Sequence, residues 1–232
     1  MYNGEKIYAI ITAAGSGNRM GMKTPKQFIE VNNIPIIERT LNKFYDLNIF
    51  DKIFLVIRQE DKKFIEENLS KKFRDIQIII GGKTREESTF NAIKLLDDDG
   101  ISVFHDGVRP FVSKDDIIRA LDFFKGKNAV VFAVREKDTV KVVDNMKVIS
   151  SPARKNIFRV QTPQIFSNKI IKEAYNKFYG KIEATDDSIF VSKLGEEVYI
   201  YESNYNNIKI TTPEDLYLAD LIAKEEDYYE NR

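Results

Sequence analysis

The stretch that decides the fold is "IYAIITAAGSGNRMGMKTPKQF" (7–28). An apolar, β-branched run, Ile7–Thr12, stops abruptly at Ala13, Ala14, Gly15, Ser16 and Gly17. Two cations follow, Arg19 and Lys26. A run of that kind fits a strand buried on both faces of a sheet. The small residues after it can fold tightly and present backbone N–H groups to an anion.

Outward from this turn the same kind of run recurs. "KIFLVI" (52–57), "IQIII" (76–80), "ISVF" (101–104) and "NAVVFAV" (128–134) are nearly continuous apolar segments. Amphipathic patterns lie between them, at 35–47, 61–73, 85–96 and 114–124. Strand alternating with helix predicts βαβ crossovers, hence an α/β fold with a doubly wound, mostly parallel sheet. Helical patterns resume at 167–178 and 213–226, with a strand candidate at 197–202 between them. Two short β-type runs around "DNM" in 138–151 predict a hairpin projecting from the sheet. The expected organisation is one domain over 1–232 with a β-arm inserted at about 136–160.

Composition narrows the function. Lys+Arg and Asp+Glu both total 36, so the net charge is zero and no global basic field calls for nucleic acid or an anionic membrane. A phosphate site must therefore be a local cluster. There are no cysteines, which excludes disulfides, zinc thiolates and a thiol nucleophile. No apolar run reaches transmembrane length and the first residues do not read as a signal peptide, so the expectation is a soluble cytoplasmic protein.

The glycine turn matches no standard phosphate motif. G-x-x-x-x-G-K-[ST] is absent, and Gly15, Gly17 and Gly21 are spaced one residue too widely for the dinucleotide fingerprint. A ligand-free strand-to-helix turn is the plain alternative. Each cation alone reads as a solvated surface group. Taken with "PKQF", where Pro25 stiffens the approach of Lys26, the set favours a polyphosphate clamp.

"AAGSGNRMG" with "PKQF" resembles the nucleotide-binding signature of the cytidylyltransferases that make isoprenoid or teichoic-acid precursors, closest to the 2-C-methyl-D-erythritol 4-phosphate cytidylyltransferase family. The related ribitol-5-phosphate enzymes more often carry Ala-Gly-Gly at this turn. The resemblance implies a Rossmann-like nucleotidyltransferase fold, with Ala13, Ala14, Gly15, Ser16 and Gly17 cradling CTP. "GGKTREES" (81–88) follows the third strand, and by the same resemblance Gly81, Gly82 and Ser88 seat the cytidine. A βα loop with a charged helix start is the alternative.

"FHDGVRPFV" (104–112) follows the fourth strand. His105 is the only histidine, and a structural role suits a lone histidine at a strand end. Asp106 can accept from sugar hydroxyls and Arg109 can fork onto phosphate; a surface ion pair between them is the alternative. The family usually has alanine at 107, and Gly107 is expected to loosen the loop. By resemblance, Thr139, Arg154 and Thr162 contact the sugar-alcohol phosphate acceptor, with Arg154 supplied across a homodimer by the arm. "QTPQIF" (161–166) alone would be an unremarkable extended turn. "ATDDSIF" (184–190) offers Thr185 as an N-cap. Lys209, just before "TPEDL", reaches the triphosphate in the family; alone it reads as a surface lysine on an edge strand.

The chemistry implied is attack of the acceptor phosphate on the α-phosphorus of CTP. Arg19, Lys26 and Lys209 supply positive charge, Mg2+ bridges phosphate oxygens, and Asp106 holds the acceptor or approaches the ion. The alternatives are a ribitol-5-phosphate acceptor, an NAD-type oxidoreductase and a nucleotide-binding module without turnover.

Overall fold

The computed structural model describes residue 2, residues 4–15 and residues 24–230. The chain opens with β1 (Ile7–Thr12), whose burial leaves almost no side chain exposed. A small hairpin follows, β2 (Glu30–Val31) and β3 (Ile34–Pro35), turning on Asn32 and Asn33 at positive φ. It delivers Pro35 as the lead-in to α1 (Ile36–Tyr45). Next come β4 (Lys52–Ile57), α2 (Lys62–Asn68), β5 (Ile76–Ile80), α3 (Arg85–Ile93), β6 (Ile101–Asp106), α4 (Lys114–Phe124) and β7 (Ala129–Arg135). The exposed hairpin β8 (Val142–Asp144) and β9 (Lys147–Ser150) then leaves the sheet, as the sequence predicts. The chain returns through β10 (Phe158–Ser167), α5 (Asn168–Phe178), α6 (Ser188–Leu194), β11 (Tyr199–Glu202) and α7 (Pro213–Glu230).

Seven strands form one sheet in the order β11-β7-β10-β6-β1-β4-β5. The pairs β1–β4, β1–β6, β4–β5 and β7–β11 are parallel. The expected mostly parallel sheet is present, but β10 runs antiparallel between β6 and β7. Sequence reading leaves 161–166, within β10, as an extended turn; Gln161, Thr162 and Gln164 break the apolar pattern, and Pro163 argues against a central strand. A register shift between Val160 and Gln164 accommodates it: a bulge lifts Gln161–Pro163 off the ladder.

Alternation along β1 explains the two layers. Ile7, Ala9 and Ile11 face α1, α2 and α4, packing with Leu41, Phe44, Ile65 and Leu121. Tyr8 and Ile10 face α3, α5 and α6, packing with Ile93, Ile171, Tyr175 and Phe190. With both faces covered, the strands read as continuous apolar runs. A third cluster joins Val31 and Ile36 to Val108, Phe111 and the α7 residues Ala219, Ile222 and Ala223. Among the described residues no helix is long and apolar enough to cross a membrane.

Gly107 does not loosen its loop. Its N–H donates to Thr12 O at 2.8 Å and its carbonyl accepts from Thr40 Oγ1 at 3.1 Å. A Cβ there would lie 2.9 Å from Ile37 Cδ1 and 3.0 Å from Ala13 Cβ, so the residue is small because β1 and α1 close on it.

The carboxyl end of α7 is fixed by a buried cation. Arg39, 6% exposed, bonds Asp227 through Nη1 (2.9 Å) and Nη2 (2.7 Å), and Asn32 Nδ2 donates to the same carboxylate. These bonds hold the Asp227 carboxyl below its ordinary value against the opposing effect of burial. Its contribution is complete above the ordinary carboxylate range and fades only as pH falls through the lowered value. Asp227→Ala strands the Arg39 charge and is expected to cost about 2–3 kcal/mol, less than a fully buried pair, with a Tm drop of about 5–10 °C in thermal scans at pH 7. An unchanged Tm would mean the pair contributes nothing.

Candidate active site

Ligand crevices in open parallel sheets lie beyond the carboxyl ends of the strands, where the strand order reverses. Here the chain runs β1, β4, β5 to one side and then crosses to β6 on the other side of β1. A cavity of about 770 Å³ sits at that point. Its walls come from the ends of β1 (Ala13, Ala14, Gly15), β4 (Arg58), β5 (Gly81, Gly82) and β6 (Asp106).

Each wall has a local cause. Ala13 N donates to Val56 O, which carries the β1 ladder one residue into the turn. At Gly15 an added Cβ would meet no atom of the described residues within 4 Å, which leaves the backbone there open to a ligand. Gly81 and Gly82 are small for the opposite reason. A Cβ at Gly81 would strike Ala14 Cβ and Ser88 Oγ at 2.7 Å, and one at Gly82 would strike Glu87 Cγ at 2.1 Å. Ser88 Oγ accepts from Gly82 N at 3.0 Å and donates to Thr84 O at 2.8 Å. Thr84 caps α3 by accepting from Glu87 N. Lys26 opens a short 3-10 turn after Pro25 and lines the same cavity. Its neighbour Gln27 is buried and donates to Asp61 Oδ2 at 3.0 Å, where Arg58 also donates, at 2.8 Å.

Asp106 is the hub. Its Oδ2 lies 3.0 Å from Lys209 Nζ and 3.1 Å from Arg109 Nε, with Asp106 8% exposed. Burial alone would raise its carboxyl, but Lys209 and Arg109 outweigh burial and hold it well below the usual carboxylate range. The segment carrying Lys209 is fastened on both sides. Ile210 N donates to Val108 O, and Asn207 donates through Nδ2 to Thr162 O at 2.8 Å while its carbonyl accepts from Arg109 Nη1 at 2.9 Å. Beyond it Asp215 accepts from Thr211 N and Thr212 N, capping the start of α7.

A second cavity of about 200 Å³ adjoins the first and shares Arg85, Asp106 and Lys209 with it. Its floor is the β10 bulge. Thr162 Oγ1 accepts from Asp106 N at 3.0 Å and donates to His105 Nδ1 at 3.1 Å, while His105 Nε2–H donates to Arg109 O at 2.9 Å. These partners select the Nε2–H tautomer. Gln164, 1% exposed, lines this cavity, and its Oε1 has no partner among the described residues.

Of the residues singled out from sequence, Ala13, Ala14, Gly15, Lys26, Gly81, Gly82, Ser88, Asp106 and Lys209 line the larger cavity. Asp106, Arg109, Thr162 and Lys209 line the smaller. Arg109 is buried, not part of a surface pair, and two of its donor nitrogens are already committed. Thr139 and Arg154 are exposed and line neither cavity; Arg154 Nη1 donates to Lys137 O. Ser16, Gly17 and Arg19 lie outside the described residues. Thr185 does not cap α6: Asp186 Oδ1 does, accepting from Ile189 N at 3.2 Å. Sequence reading missed Arg58, Arg85, Asp187 and Asn207. Arg85 stood inside a quoted motif, yet its partner is Asp187, a separation no local pattern reveals.

The sequence model of a family described as "IspD: 2-C-methyl-D-erythritol 4-phosphate cytidylyltransferase" matches residues 7–225. A relative of that name from Clostridium perfringens is 40% identical, with 94% of this chain and 99% of the relative covered. One from Thermosipho africanus is 42% identical, with 91% and 96% covered. The crystal structure of 4-diphosphocytidyl-2C-methyl-D-erythritol synthase from Anaerococcus prevotii superposes with a TM-score of 0.86 at 37% identity, covering 96% of this chain and all of that one.

His105 gives the site a pH signature. Burial pushes its imidazole down to about 4 despite the opposing bond to Arg109 O. Unfolded chains then bind a proton that the native state refuses, so stability rises with pH and is lost as pH falls from about 6.5 towards 4. The chain has one histidine, and carboxylates act mostly below pH 5. Urea unfolding is expected to give about 2 kcal/mol less stability at pH 5 than at pH 7. A flat profile over that interval would refute a neutral buried imidazole.

Proposed function

The chain belongs to the 2-C-methyl-D-erythritol 4-phosphate cytidylyltransferase family, and on that premise we propose how its two cavities divide the work. It is a CTP-dependent nucleotidyltransferase that joins CTP and 2-C-methyl-D-erythritol 4-phosphate for isoprenoid precursor synthesis. A ribitol 5-phosphate acceptor is not favoured, and the matches leave no place for the oxidoreductase or non-catalytic alternatives. In our reading the larger cavity takes CTP, with cytidine against Gly81, Gly82 and Ser88 and phosphates along Ala13–Gly15. The smaller cavity takes the acceptor. The observation that carries this division is the shared wall of Arg85, Asp106 and Lys209, where a phosphate from each side can meet.

An oxygen of the acceptor phosphate attacks the α-phosphorus of CTP in line, a new P–O bond forms, and the α–β bridging oxygen leaves with pyrophosphate. The nucleophile is ionised at neutral pH, so no base is needed. The obstacle is repulsion between two polyanions, and charge held in position removes it. Lys26, Arg19 and Lys209 fill that role, Lys209 at the α-phosphate. Thr162 and Arg109 shape the acceptor side.

Among the described residues there is no group of three or more His, Cys, Asp or Glu side chains that could hold a metal by itself. Asp106 is the carboxylate on the wall that both cavities share, and a magnesium ion there would be carried largely on substrate oxygens. When bound, such an ion would supply positive charge to offset the negative charge of the triphosphate.

A homodimer through the arm and a cytoplasmic location, where CTP is at hand, complete the proposal. Val142, Val143, Met146, Val148 and Ile149 of the hairpin are all exposed. A two-stranded hairpin alone is marginal in water, and a twofold partner would cover it and bring Arg154 and Thr139 to the acceptor.

The test is pyrophosphate release from CTP and magnesium with each acceptor in turn; turnover with ribitol 5-phosphate alone would overturn the acceptor assignment. Lys26→Ala is expected to lower kcat about a hundredfold or more, the scale of one preorganised charge. A raised KM for CTP with kcat intact would limit Lys26 to ground-state binding. For the arm, Ile149→Asp should shift sedimentation from dimer to monomer, and a wild-type monomer at micromolar concentration would dismiss the exchange.

A further inference from the structure

Arg85 lies on the wall common to both cavities, at the first position of α3. Its guanidinium is held from behind. Nη1 and Nη2 donate to Asp187 Oδ1 and Oδ2 at 3.1 and 2.6 Å, a two-pronged pair on a carboxylate that is 3% exposed. The Tyr175 hydroxyl, fully buried, donates to the same carboxylate, and the Tyr175 ring stacks on Phe190 at 4.3 Å and Phe90 at 5.5 Å. Three elements, α3, α5 and the turn before α6, thus converge to fix one cation. Arg85 keeps 35% of its side chain exposed.

Guanidinium carries five N–H donors, and Asp187 engages one edge. The remaining donors belong to a group whose plane cannot swing. Among the described residues, the other cations on the smaller cavity are Arg109 and Lys209. Arg109 is 10% exposed and bonded to Asp106 and Asn207, and Lys209 is paired with Asp106. Arg85 is the cation whose paired carboxylate, Asp187, lines neither cavity.

We propose that Arg85 is a substrate-contacting residue that binds the acceptor's phosphate at the seam between the cavities, with Asp187 and Tyr175 as the positioning residues that aim it. This rests on the reading of the reaction above. In that geometry Asp187 anchors one edge of the fork and the incoming phosphate takes another.

Arg85→Ala, Arg85→Lys, Asp187→Asn and Tyr175→Phe would be assayed by pyrophosphate release, titrating CTP and 2-C-methyl-D-erythritol 4-phosphate separately, with circular dichroism to confirm folding. Arg85→Ala is expected to raise KM for the acceptor ten- to a hundredfold, the scale of a charged hydrogen bond, while KM for CTP stays within about twofold. Arg85→Lys keeps the charge without the fork and should recover only part of the loss. Tyr175→Phe keeps the stacked ring and should raise acceptor KM a few-fold; Asp187→Asn should do so more strongly. Equal rises in both KM values, or none in a folded variant, would overturn the proposal. If Arg85→Ala does not fold, the lysine and phenylalanine variants decide by the same split. Wild-type enzyme that releases no pyrophosphate with this acceptor would overturn the reaction itself and the Arg85 role with it, whereas wild-type turnover without the split overturns Arg85 alone.

Discussion

The structure of the site depends on a buried carboxylate that stays ionised. Asp106 ends β6, is nearly inaccessible to water, and meets both Lys209 and Arg109 through Oδ2. A lone carboxylate so placed would protonate or draw water in; two cations make the charge tolerable. The Asp106 backbone N–H, and Arg109 and Asn207 beside it, tie together segments far apart in the chain: the loop after β6, the β10 bulge through Thr162, and the stretch before α7 that carries Lys209. Removing the charge would leave Lys209 and Arg109 without the carboxylate they share.

Around this hub stand fixed charges of graded accessibility, where the proposed reaction has to overcome repulsion between two phosphorylated substrates. Arg109 is sealed in and braces the backbone through Asn207. Lys209 and Arg85 stand half-open on the shared wall, each with a carboxylate at its side. Lys26 approaches from a turn stiffened by Pro25 and pinned through Gln27 to Asp61. None of these carboxylates neutralises the site for its own sake. Each fixes where a positive charge points, and the proposed reaction needs alignment as much as net charge.

Much of this was legible in the sequence, for identifiable reasons. β1, β4 and β5 lie where their apolar runs are, because strands covered on both faces leave no ambiguity of pattern. The glycine turn follows β1, "GGKTREES" follows β5 and Asp106 ends β6, so locating the strands located them. β10 was hidden because it is a strand that carries function: Gln161, Thr162 and Gln164 supply polar groups to the smaller cavity, and Pro163 sits in its bulge. Gly107 misled in the other direction. Its freedom is irrelevant, since β1 and α1 pack closely around it and its backbone is bonded on both sides. Arg85 and Asp187 were both in view but not as a pair, because only packing of α3 against α5 and α6 makes them neighbours.

The single imidazole under the site has a practical consequence. Its ring nitrogens sit between Thr162 and Arg109, at the junction of β6 and β10. With no other histidine in the chain, its nitrogen and carbon-bound proton resonances are identified without assignment. Magnetic resonance of this one ring therefore offers a built-in reporter on the floor of the smaller cavity, sensitive to any ligand that disturbs the threonine above it.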